Sequence, residues 1–202
     1  MEHVTNLLFW IASGLLVPVI VGLLFFFLKS LFMLGGFVSL YLQRAKRDKR
    51  LHLRMEGLNG ENVRAFASEL EGEPSDNAFV LTAKRLLGTE SEAAANRLLS
   101  EFEIAADAEL GKAKVLVKFG PILGLMGTLI PMGPALAGLS TGDIASMAYN
   151  MQVAFSTTVL GLFAGAVGFI LLQVKQRWFT SDLADLDFLA DLLKENFKNK
   201  SA

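Results

Sequence analysis

Polar and apolar positions along the chain fall into blocks. From Leu7 to Leu28, "LLFWIASGLLVPVIVGLLFFFL" carries no charge, and at about 1.5 Å per residue a helix of that length crosses a hydrocarbon core of roughly 30 Å. A second uncharged block runs from Phe119 to Leu139 and a third from Met147 to Val174. Between Lys118 and Lys175 the only charged side chain is Asp143, within "STGDIAS", so these blocks predict a hairpin of two spans joined by a tight polar turn. Apolar character continues past Lys29 through "SLFMLGGFVSLYLQ" to Gln43. That run is too short for two spans of about 20 residues plus a turn. It predicts one long helix that leaves the membrane near Lys29, whose ammonium snorkels to the interface. Gly14 and Pro18 inside the first block are candidate bend positions, which lipid tolerates when neighbours satisfy the freed carbonyl.

Residues 44 to 118 mix both signs of charge and lack β-branched runs, a pattern of helices. "NGENVRAFASELEG" predicts one between Gly60 and Gly72, and "PSDNAFVLTAKRLLG" a second, with Ser75 or Asp76 as N-cap and Gly88 as its stop. "TESE", Thr89 to Glu92, has the spacing of a capping box. No proline follows before Pro121, so a rod is expected to start in water and run into the membrane as the second span. In the tail, "SDLADLDFLADLLKENFKNK" sets Leu183, Leu186, Leu189 or Ala190, and Leu193 on one face with acids opposite. Such a helix packs on the polar rods or lies on the membrane surface, and its acidic face disfavours anionic lipid.

The expected fold class is an all-α integral membrane protein with three transmembrane helices and long cytoplasmic helical extensions. Its parts are residues 1–43 (first span and extension), 44–118 (cytoplasmic helices), 119–174 (the hairpin) and 175–202 (an amphipathic helix). With so short a stretch after the third span, no further domain is expected there. Basic residues set the orientation. "RAKRDKR", Arg44 to Arg50, follows the first span, and Lys175 and Arg177 follow the third, whereas the N-terminus and the Asp143 turn hold no Lys or Arg. The positive-inside rule puts the N-terminus outside and the C-terminus in the cytoplasm. The first block is too long, and lacks the basic lead-in, for a cleaved signal peptide.

Composition narrows the chemistry. The hydrophobic share of 52% and mean hydropathy of +0.45 are concentrated in the three blocks. A net charge of −1 does not point to nucleic acid, and "RAKRDKR" is explained more fully as a topology signal than as a nucleic-acid or lipid patch. With no cysteine, disulfides, thiol catalysis and Cys-ligated zinc are excluded. His3 and His52 are not at ligand spacing. No nucleophile-plus-base set, phosphate-cradling loop or carboxylate cluster appears, so neither an enzyme nor a cofactor is expected.

The hairpin spans contain no Asp, Glu, Lys, Arg or His. A protein that moves protons normally needs one at membrane depth, so a partner must supply it if ions move. The spans do carry hydroxyls and small residues. Thr157, Gly161, Gly165 and Gly168 share a face at small-xxx-small spacing, with Ser156 and Thr158 on its flanks. Gly120, Gly124 and Gly127, with Thr128, form a similar ridge ahead of Pro131 and Pro134. Alone, such a threonine bonds its own i−4 carbonyl or packs, and such glycines are contact points. Hydroxyls beside close-packed faces together point to a lined passage.

"GPILGLMGTLIPM" resembles the P-x-x-G-L-x-G-T signature that opens the second helix of ExbB and TolQ proteins, to which MotA has a related segment. "AFSTTVLGLFAGAVGF" resembles the third-helix signature of the same MotA/TolQ/ExbB proton channel family. The resemblance implies the larger subunit of an ion-driven motor in a bacterial inner membrane. It would be a homopentamer around a dimer of ExbD/TolR/MotB-like single-span subunits, each with a membrane aspartate, and it would be driven by H+ rather than Na+. Three spans place the chain nearer to ExbB and TolQ than to four-span MotA. Thr128 and Thr158 match the pore-facing threonines, with Thr157 beside them, and Pro121 matches the proline at the cytoplasmic start of the second helix. Gly124, Gly127, Pro131, Gly161 and Gly165 fall to packing and bending. One departure is Val153, where relatives often carry glutamate; neither Met151 nor Gln152 replaces the acid. Pro131 and Pro134 are unusual as a pair. The rival is a non-conducting oligomeric scaffold that uses the glycine ridges alone.

Overall fold

The computed structural model describes residues 2–55, 57–59, 62–63, 65–70 and 77–201. Every regular element among them is a helix: α1 (Glu2–Gly14), α2 (Leu16–Met55), α3 (Phe66–Leu70), α4 (Ala78–Leu87), α5 (Glu92–Thr141) and α6 (Ile144–Ser201). Segments long and apolar enough to cross a membrane lie in Asn6–Leu42, Glu92–Thr141 and Ile144–Glu195. The chain divides into a first unit, Met1–Ser39 with Lys112–Leu172, and a second, Leu40–Gly111 with Gln173–Ala202.

In the first unit the opening apolar block is two helices. Pro18 has no N–H for the Gly14 carbonyl, and its ring crowds that oxygen. The ladder is interrupted at Leu15, whose N–H is shared between Ile11 O at 3.2 Å and Ala12 O at 3.1 Å. From Leu16, α2 runs unbroken past Lys29, as the absence of room for a second span predicts. Ser30 is fully buried, and its hydroxyl donates to Phe27 O at 2.6 Å. The outward side chains are large and apolar, Trp10 at 77% and Phe32 at 81% exposure among them. Such a surface is a liability in water and the expected one in lipid.

The hairpin turns on two residues. Gly142 has φ +75°, its N–H bonds Leu139 O at 3.2 Å, and the Asp143 N–H bonds Gly138 O at 2.8 Å. These are the paired bonds of a Schellman ending. Asp143 also starts α6, because its Oδ1 accepts the Ser146 N–H at 3.0 Å. The one charged side chain of the hairpin is therefore a cap.

The second unit holds a conventional core. Val63, Phe66 and Leu70 meet Phe79, Val80, Ala83 and Leu86 of α4, Ala95 and Phe102 of α5, and Leu186, Leu189, Ala190 and Leu193 of α6. The tail's apolar stripe thus packs on protein, with Leu183 at its edge. Each fully buried leucine contributes about 1.5–3 kcal/mol. Arg44 and Asp182 form an ion pair with side chains only 11% and 9% exposed. The guanidinium also donates to Trp178 O at 3.2 Å and lies 5.0 Å from the centre of the Trp178 ring. At the surface, Lys194 has its pKa raised, first by its hydrogen bond to Asp191.

Two local expectations change. α4 is capped by Asn77, whose Oδ1 accepts the Phe79 N–H at 3.0 Å; Ser75 and Asp76 lie outside the described residues. The Thr89–Glu92 capping box does not form. The Thr89 hydroxyl turns back to donate to Arg85 O at 2.9 Å, and Ser91 Oγ accepts the Ala94 N–H at 3.2 Å. α5 begins at Glu92, so Ser91 is the adjacent residue that can reach the third helical N–H, while Thr89 still belongs to the end of α4. The helix expected between Gly60 and Gly72 appears as α3; Gly60, Glu61, Arg64 and residues 71–76 lie outside the described residues.

Candidate functional site: the hydroxyl pair on the hairpin

Two antiparallel helices approach this closely only where side chains vanish. A Cβ built on Gly120 would stand 2.8 Å from Gly161 O and 2.9 Å from Gly165 N. One on Gly161 would stand 2.6 Å from Gly120 O and 2.7 Å from Gly124 Cα, and one on Gly165 would meet the Pro121 ring at 2.7 Å. Gly168 faces Leu116 in the same way, also at 2.7 Å. The glycines of α5 and α6 therefore lie backbone on backbone, the arrangement that small residues permit in lipid.

Pro131 belongs to this ridge. Gly120, Gly124, Gly127, Pro131, Ala135 and Gly138 follow one another at three- or four-residue steps, and all six are buried. The antiparallel register brings the buried Ala154 to the level of Pro131. A proline there fills the seam with a compact ring at the expense of the N–H to Gly127 O. Pro134 is half-buried beside the ridge, and nothing in the structure explains its identity. Despite Pro121, Pro131 and Pro134, α5 is one continuous helix.

Thr157 is 5% exposed and is wedged against Gly127, where an added Cβ would be 2.6 Å from both its Cβ and its Oγ1. Its hydroxyl donates to Val153 O at 3.0 Å or Ala154 O at 2.9 Å. Thr128 and Thr158 are half-buried, and their hydroxyl oxygens are 3.3 Å apart across the hairpin. Each also reaches its own helix: Thr128 Oγ1 to Gly124 O at 3.1 Å or Leu125 O at 2.9 Å, and Thr158 Oγ1 to Ala154 O at 3.1 Å. A hydroxyl has one proton and two lone pairs. With both protons given to backbone carbonyls, the pair offers lone pairs; rotated, it offers donors.

A model of the MotA/TolQ/ExbB proton channel family matches residues 71–186. The chain belongs to this family. Comparison with curated proteins and with solved structures found no match. The family segment spans α4, α5 and most of α6, and so contains the whole hairpin with its hydroxyl pair. Membership makes the chain a multi-pass membrane protein and a subunit of ion-channel stator type.

Val153 lines a cleft of about 260 Å³ between α2 and α6 with Tyr149, Gln152, Ser156 and Thr157. Sequence reasoning passed over Tyr149 and weighed Gln152 only as a replacement for the acid. The signal was present: Tyr149, Gln152 and Ser156 recur at helical spacing in a block that is otherwise apolar or small. Among the described residues no group of acids and histidines could hold a metal.

Proposed function

We propose that the protein is the channel subunit of an ion-motive-force-driven motor, of the three-span ExbB/TolQ type. Five copies form a ring around a dimer of single-span partners, each bringing a membrane aspartate. The hydroxyl pair Thr128–Thr158 carries this proposal, being two oxygens 3.3 Å apart on spans that contain no Asp, Glu, Lys, Arg or His. When the partner carboxyl is protonated, its O–H donates to a threonine lone pair. When it is ionised, a threonine rotates its O–H away from the backbone and donates to it. A hydroxyl thus serves both protonation states with one bond rotation, and the apolar surroundings strengthen the charged bond. Two hydroxyls make a sparse shell for Na+, and the transported ion is H+. The membrane is a bacterial inner membrane, with the N-terminus outside and the C-terminus in the cytoplasm.

The test is Thr128→Val with Thr158→Val in the complex with the single-span partner, reconstituted into vesicles under a pH gradient. Proton flux should fall at least tenfold while the ring remains assembled. Undiminished flux would refute the proposal, and a wild-type complex that carries no flux would favour a scaffold.

A further inference from the structure

The cleft between α2 and α6 has apolar walls at Ile20, Leu23 and Leu24 and a polar face of Tyr149, Gln152 and Ser156. Gln152 is exposed, and its side-chain amide has no hydrogen-bond partner among the described residues. It stands eight residues into α6, about 12 Å from the helix start, inside hydrocarbon if α6 begins at the membrane surface. An amide left unpaired there costs several kcal/mol. Lipid tails offer no acceptor or donor at that depth. The single-span partner proposed above sits on the Thr158 side. At 3.6 residues per turn Ser156 points nearly opposite Thr158 and Gln152 about 120° from it.

A matching surface exists on α1. Asn6, Trp10 and Ser13 recur at helical spacing on one face. Asn6 is exposed, Trp10 is 77% exposed, and Ser13 is half-buried. None of their side chains has a hydrogen-bond partner among the described residues. In a three-span chain α1 and α6 cross in the same direction, and their depths agree. Trp10 lies as far from Glu2 as Gln152 lies from Ile144. Asn6 is level with Tyr149 and Ser13 with Ser156 to within one residue's rise, about 1.5 Å. The groups complement one another. The Trp10 indole donates only and the Gln152 amide oxygen accepts. The Ser13 hydroxyl can donate to Ser156, whose own proton goes to Gln152 O at 2.8 Å.

We infer that the α1 face Asn6–Trp10–Ser13 of one copy docks beside Tyr149–Gln152–Ser156 of the next. Because the two faces differ, the contact is head-to-tail and can close into a ring. The seam rests on the ring proposed above, but not on its ion path.

The chain has no cysteine, which makes oxidative cross-linking in membranes a clean test on the full-length protein. The double variant Ser13→Cys/Ser156→Cys should yield a ladder at multiples of 22.0 kDa. Co-expressed chains carrying Ser13→Cys and Ser156→Cys separately should stop at the dimer. Either variant expressed alone should give no cross-link. Asn6→Cys/Tyr149→Cys is a second pair at another depth. Gln152→Leu should shift the balance toward single chains by about three- to thirty-fold, and Gln152→Asn should restore it. A dimer from Ser156→Cys alone, a disulfide within one chain, a cross-link to the single-span partner, or no ladder from either pair would each overturn the seam. Thr128→Val/Thr158→Val must leave the ladder intact. Loss of the ladder with flux retained would refute the seam alone.

Discussion

Gly161 is where the hairpin helices come closest, and the consequence of filling it is calculable. A methyl there would lie 2.6 Å from Gly120 O and 2.7 Å from Gly124 Cα, both backbone atoms that no side-chain rotation can move. Gly161→Ala should therefore force α5 and α6 apart and destabilise the first unit by at least the 1–3 kcal/mol typical of overpacking. Gly35→Ala is the control. Nothing lies within 4 Å of its added Cβ, and helix propensity favours alanine by about 1 kcal/mol. Unfolding in detergent should rank Gly35→Ala at or above the parent and Gly161→Ala well below it; equal stabilities would show that the ridge is not a tight contact. At this scale the sequence was informative where spacing alone decides, as for Gly124, Gly161 and Gly165. It also set Thr157 on the glycine ridge and Thr158 on its flank, but not the groups that each meets. Adjacent residues point about 100° apart on a helix, and only the partner helix reveals which of them faces Gly127 and which faces Thr128.

Helix ends were less legible than helix existence. Three residues around the start of α5, Thr89, Ser91 and Glu92, all carry capping chemistry, and the box pattern favoured the pair with the right spacing. Ser91 takes the cap because the helix starts at Glu92, two residues later than that spacing implies. Ser91→Ala should destabilise the second unit by about 1 kcal/mol, whereas Thr89→Ala, removing an exposed bond to the end of α4, should cost less than half as much. Chemical denaturation of the pair in otherwise identical protein would decide, and a larger loss from Thr89→Ala would restore the capping box. Pro131 shows the same limit on α5. Propensity marks it as a breaker, yet its role comes from its place on a buried ridge, which becomes visible only when every third or fourth residue from Gly120 to Gly138 is seen to be buried.

For the whole molecule, hydropathy and charge were enough to find the spans and the turn, because lipid forces helical, uncharged segments of a set length. Long-range pairings were hidden, since no periodicity links residues so far apart in sequence. The Arg44–Asp182 pair is the clearest case. "RAKRDKR" reads as a topology signal, and its first arginine is also a buried structural group that ties α2 to α6. Removing one partner takes this counter-charge from the other, and Arg44→Met or Asp182→Leu alone should each cost up to about 3–5 kcal/mol. The double variant removes both of these charges and places two apolar side chains beside Trp178 and Tyr41, whose rings are 5.9 Å apart. Its loss should be far smaller than the sum of the two, and a buried pair exchanged for apolar residues is often neutral. Limited proteolysis of the second unit across this cycle is the measurement. Additive losses would mean that Arg44 and Asp182 act independently, with the stack on Trp178 as the whole contribution of the arginine.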